Sequence, residues 1–194
     1  MGELTSYRLS DFILFSQTAY YRQFEFYNRD IWPLHGVAIV FALMVFYAVW
    51  KKPVWAGRGI ALLLVVSWVW VALAFLYQRF YQIHVVADWY AFGFILQSGL
   101  IAWYGVIKNQ FILFVASRLR VKIGSSLLFI ALVFYPFIAI LSGRSWMQFE
   151  MFALAPDPTA LATLAVLIFY KVPIVLYAVP IIWTLLSVMT LFAL

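Results

Sequence analysis

The side chains richest in chemistry crowd into one stretch of the chain: Gln78, Arg79, Gln82, His84 and Asp88. If a helix is already under way at His84, then His84 and Asp88 stand at i and i+4 and share a face. That spacing suits chelation of a metal by His84 and Asp88, or a carboxylate that holds an imidazole in one tautomer for a proton relay. Two ligands fall short of the three or four a stable metal site needs, so His35, Asp30, Glu150 or Asp157 would have to complete it. The plainer reading is a His84–Asp88 or Arg79–Asp88 pair that pins a turn at a membrane interface. Arg79, His84, Asp88, His35 and Asp30 together are the candidate ligand-binding group.

A second motif, Ala155-Pro156-Asp157-Pro158-Thr159, resembles a binding signature but reads first as a helix start. Pro suits the first helical turn, and Asp157 is expected to cap free N–H groups of Thr159 or Ala160. Other catalytic devices are missing from the sequence. With zero cysteines there are no disulfides, thiolate metal sites or cysteine nucleophiles. Nucleophile elbow, P-loop, dinucleotide fingerprint and metalloprotease motif are all absent.

The elements that must position these residues follow from composition. Of 194 residues 67% are hydrophobic and only 10% charged, and the mean hydropathy is +1.00, far from soluble usage. The net charge of +6 is scattered rather than striped, which argues against nucleic acid as a partner. Five uncharged runs are long enough to cross a bilayer core: Ile31 to Trp50, Ile60 to Tyr77, Trp89 to Ile107, Ile123 to Ser142 and Val172 to Leu194. A sixth, Thr159 to Tyr170, is short, and reads as a tilted span or a re-entrant half-helix. The expected fold is an all-α polytopic membrane helix bundle of five firm spans plus this short or re-entrant one. Residues 1–30 form a separate N-terminal segment, in which Leu9 to Tyr27 reads as an amphipathic interfacial helix or as a lid over a site. Residues 31–194 form the bundle. Lys108 to Lys122, with Phe111, Ile112, Phe114 and Val115, is a second interfacial stretch.

Charges orient the bundle. Lys51, Lys52, Arg58, Lys108, Arg118, Arg120, Lys122 and Lys171 share one side, and the other side holds five basic residues with all seven acids. The positive-inside rule makes the first side cytoplasmic and puts both termini outside, with any site opening outward. Trp32, Trp50, Trp55, Trp89 and Trp146 fall at span ends, as an aromatic belt requires, whereas Trp68, Trp70 and Trp103 lie deeper and read as lipid-facing filler or the wall of a flat apolar ligand site. Gln97, Ser98 and Ser67 are expected to tie helices together, with Gly93 and Gly99 allowing close packing.

The segments YRLSDFILFS and YYRQFEFYNRDIWP (Tyr7 to Pro33), SWVWVALAF in the second span, APDPTALATL (Ala155 to Leu164) and PIIWTLL in the last span resemble an uncharacterised bacterial membrane family, catalogued as domain of unknown function 6064. The likeness covers nearly the whole chain. It implies a multi-pass protein of the bacterial inner membrane and leaves activity open. At Ser16-Gln17-Thr18-Ala19 the chain departs from the family's Pro-Arg, so a functional arginine there would be missing. Three function classes follow: a protein that binds or passes a small solute or ion through the outward polar cluster, an accessory subunit of a larger membrane complex, and a metal-dependent membrane enzyme. The bilayer is the expected surrounding, other membrane subunits or a second copy the expected partners; the cofactor is left unknown.

Overall fold

The computed structural model describes residues 16–84, 86–113 and 117–193. Phe12 and Phe15 of the N-terminal amphipathic stretch, and Phe114 and Val115 of the second, lie outside them. The chain is an all-α bundle, and its five long apolar helical runs are Leu34–Lys51, Ala56–Gln82, Ala87–Ile107, Arg118–Leu141 and Ile174–Phe192. They coincide with the five runs read from the sequence. Residues 17–30 pack on the 142–155 segment at one end of the bundle.

Helix α1 (Gln17–Asp30) starts where Ser16 accepts from the Ala19 N–H at 3.2 Å. Tyr20, Phe24 and Tyr27, spaced four and three apart, turn one face inward. Phe24 stacks on Phe75 at 4.7 Å between centroids, and Tyr20 meets Phe80 edge-on. Helix α2 (Leu34–Lys51) then descends to a left-handed Lys52. Helix α3 (Ala56–Trp70) continues as a π-helix through Val71–Tyr77, and α4 (Ala87–Ile101) does so through Ala102–Ile107. In the fourth run α5 (Arg118–Phe129) widens to a π-helix at Ile130–Phe134, tightens at Tyr135–Phe137 and resumes as α6 (Ile138–Leu141). Pro136 supplies the cause, because it has no N–H for the ladder and the turns around it must re-register.

The short run became α7 (Pro156–Phe169), and it lies in the middle of the bundle against α5, α8 (Ala178–Ala193) and α3. Its 14 residues span about 21 Å, less than a bilayer core of about 30 Å. Eleven of them are buried, and most are Ala, Thr or Pro, small enough to let neighbours close in from all sides. A helix buried all round shows no amphipathic stripe, so its shortness was the feature the sequence offered for placing it. At the opposite end β1 (Ile112–Leu113) pairs antiparallel with β2 (Tyr170–Lys171) and ties the third-to-fourth connection to the end of α7.

Packing differs from expectation in two places. Gly93 and Gly99 have open space around them, and the close approaches are at Gly57, where a Cβ would lie 2.5 Å from the Phe111 carbonyl, and at Gly105, where it would lie 2.5 Å from the Ala61 Cβ. Trp68 is not lipid-facing: it is fully buried, donates to Thr163 Oγ1 at 2.8 Å and packs on Phe94. Of the expected polar ties, Ser67 instead donates to the Leu63 carbonyl of its own helix at 2.8 Å, and the other two form. Gln97 donates to the Leu176 carbonyl at 2.8 Å, and Ser98 reaches the Val65 carbonyl at 3.5 Å.

Candidate functional site

The residues singled out by type and spacing are spread along one end of the bundle, each engaged locally. Arg79 pairs with Asp30. His35 is buried and meets Asn28 Oδ1 at 3.2 Å, while the Asn28 amide donates to the carbonyls of Met147 and Phe149 at 2.8 Å each. His84 precedes α4, which begins at Ala87, so the i, i+4 face with Asp88 does not form. Its ring lies between those of Phe80 and Tyr90, and burial holds its pKa below the usual imidazole value. Asp88 is exposed and accepts from the Trp89 N–H at 2.8 Å, at the positive end of α4. Among the described residues no three His, Cys, Asp or Glu side chains gather to hold a metal ion.

The cap expected at Asp157 is replaced by a different arrangement. Ala155 is the cap residue of α7, no side chain caps that end, and Asp157 is the second helical residue. Its carboxylate points sideways into the bundle. Oδ1 accepts from Trp183 Nε1 at 2.7 Å, and Oδ2 accepts from Ser187 Oγ at 2.5 Å and Tyr135 Oη at 3.1 Å. Two of these bonds have the short lengths of charge-assisted bonds. Donors from the fourth and last runs thus converge on an acid from α7 that is only 8% exposed.

The approach to Asp157 is a non-helical strand of backbone buried inside protein, tolerable at membrane depth only if its polar groups are met. Some are met within the turn, where the Leu154 and Ala155 N–H groups donate to the Met151 carbonyl, and others by side chains. Tyr27 donates to the Leu154 carbonyl at 2.9 Å and accepts from Trp70 Nε1 at 2.8 Å. The Ala153 N–H donates to Thr159 Oγ1 at 3.0 Å, with Ala153 held at φ 70°, a conformation a side chain rarely adopts.

The same approach carries Arg144 and Glu150. Arg144 lies 4.0 Å over the Tyr21 ring and gives Nη1 to Glu150 Oε1 at 3.4 Å, a long contact. Glu150 Oε2 and Arg144 Nε are buried and find no hydrogen-bond partner among the described residues. Burial raises the Glu150 pKa to about 8, the nearby Asp157 charge adds to the rise, and Arg144 opposes it. The buried Tyr20 of α1 feels the same charges, its phenol pushed up by burial and by Asp157 and Glu150. The centre thus holds two carboxyl groups and one guanidinium away from water.

The sequence names Glu150 only as a possible completing ligand for His84 and Asp88 and does not link it to Arg144, because the two stand six residues apart with no motif between them. A signal was present. The connection Phe149 to Ala155 is too apolar for a solvated loop, so Glu150, the one charge it carries, had to go inside with it.

The four segments that carried the family resemblance meet here: Tyr27 and Asn28 from the first, Trp68 and Trp70 from the second, Asp157, Thr159 and Thr163 from the third, Trp183 from the last. No curated protein and no solved structure matches the chain. The family of unknown function DUF6064 matches over residues 17–194, and the chain belongs to that family.

Proposed function

We propose that the protein binds a small monovalent cation, the proton included, at Arg144, Glu150 and Asp157, and uses that binding to pass a small solute or ion. The observation that carries this reading is the charge count in a buried place. Ionised Glu150 and Asp157 against one Arg144 leave a net charge of one minus, and an ionisable group inside a membrane bundle is expensive unless it serves a function. One bound positive charge brings the centre to neutrality. In this reading Asp30, Arg79, His35, His84 and Asp88 form the rim through which the ligand arrives, on the side that the charge distribution assigns to the outside.

Thermal stability of the purified protein in detergent tests the reading, with sodium chloride, potassium chloride and pH as the probes. A monovalent positive charge is expected to stabilise the wild type, and Glu150→Gln or Asp157→Asn alone to abolish the effect, because either one balances Arg144. A wild type indifferent to all three probes overturns it. The accessory-subunit reading would then stand, supported by the apolar residues Ile181, Ile182, Leu185, Val188 and Phe192 that α8 leaves exposed. A stoichiometric partner after mild detergent extraction would support that alternative.

A further inference from the structure

Resting on that reading, we infer that the positive charge is a proton and that Glu150, not Asp157, carries it. The two carboxyl groups differ in what surrounds them. Asp157 is supplied with three donors, two of them at 2.5 and 2.7 Å, which stabilise an anion and would repel a metal ion brought to the same oxygens. Glu150 has one long contact and a bare Oε2, the poorest setting for a buried anion. A proton on Oε2 removes that charge and leaves Arg144 to balance Asp157. The proton also needs no coordination shell, whereas alkali and alkaline-earth ions want several oxygens that these residues do not free.

The groups that face Glu150 agree with this assignment. Helix α1 contributes Tyr20 and Tyr21; the connection contributes Arg144, the fourth run Tyr135 and α7 Asp157. Helix α8 brings Trp183 and Ser187, neither charged, to Asp157. Among these Arg144 is the single cation, and Asp157 is the acid nearest in effect. The approach containing Glu150 is also pinned to α1 through Asn28 and Tyr27, so proton uptake is felt where α1 meets the bundle.

Infrared difference spectra of the protein in lipid nanodiscs test the inference, read at the carbonyl stretch of protonated carboxylic acids while pH rises from neutral to alkaline. A band lost with a midpoint near pH 8, absent in Glu150→Gln and unmoved by sodium or potassium chloride is expected. Glu150→Asp, which keeps a titratable group, should retain a band at a shifted midpoint. A band that survives in Glu150→Gln and disappears in Asp157→Asn overturns the assignment to Glu150 while the cation-binding reading stands. A band displaced by sodium or potassium overturns the proton as the ligand and again leaves that reading intact. No titrating band, together with no response to either salt, overturns both.

Discussion

Two ion pairs at the same end of the bundle live in different solvents. In Arg79–Asp30 the side chains are 27% and 57% exposed, and water and salt screen them; in Arg144–Glu150 they are 10% and 7% exposed, and a second acid adds its field. The same chemical partners therefore have opposite standing. An exposed pair is nearly dispensable, because each member is well solvated without the other. A buried pair contributes little relative to an apolar replacement, yet loss of one member strands the other in a poor dielectric.

Arg144→Met tests the buried half most severely. It leaves Glu150 and Asp157 without a counter-charge, and the expected loss of stability is about 3–5 kcal/mol. Chemical unfolding in detergent should show the loss largest at alkaline pH and much reduced in acid, where both carboxyl groups can be protonated. An equal loss at every pH would mean that packing against Tyr21, not charge, is what Arg144 supplies.

Asp157→Ala comes next. It deprives Trp183, Ser187 and Tyr135 of their acceptor, and with hydroxyls able to find new partners the expected cost is about 2–4 kcal/mol. Asp157→Asn keeps one acceptor and should stay closer to wild type in stability. It also removes the charge that raises Glu150, so the midpoint near pH 8 should fall. Unchanged titration in the Asn variant would separate the two acids and weaken the idea of a single centre.

Glu150→Gln gives a pH signature. The carboxyl is raised from the usual 4.5 to about 8 in the folded protein, so the folded state holds the proton more tightly than the unfolded chain. Stability from this group is complete below the unfolded value and is lost as pH rises through about 8. The slope approaches about 1.4 kcal/mol per pH unit at most for one proton. Wild type should therefore lose stability between pH 4.5 and about 8 relative to Glu150→Gln, as read from unfolding midpoints. Parallel curves would place the proton elsewhere.

The fold was legible because its signal is local. Uncharged runs such as Ile60 to Tyr77 declare a span by length alone, and the structure keeps all five. The site was legible only in pieces. Spacing drew attention to His84 and Asp88, which α4 separates by starting at Ala87. Asp157 was visible as a helix-start residue, but its partners Tyr135, Trp183 and Ser187 come from 22 to 30 residues away, and no periodicity links them. Glu150 was visible only as a possible metal ligand, and its pairing with Arg144 was hidden in a connection that buries Phe152 and Leu154. What a side chain faces across helices is a tertiary fact, and charge in such a place is read only once the neighbours are known.

The smallest effects are expected on the rim, and they sharpen the comparison by how little they do. Arg79→Gln, Asp30→Asn and Asp88→Asn should each change stability by less than about 1 kcal/mol. For the first two, a double-mutant cycle should give a coupling of about 0.2–1 kcal/mol that shrinks as salt is added, since screening acts fully on an exposed pair. Asp88→Asn keeps an oxygen for the Trp89 N–H and loses only the favourable interaction of a charge with the start of α4. Unfolding midpoints at low and high salt measure all three. If Arg79→Gln costs as much as Arg144→Met and salt does not reduce it, the rim pair is effectively desolvated in the membrane, and the division between a screened entrance and a buried centre fails.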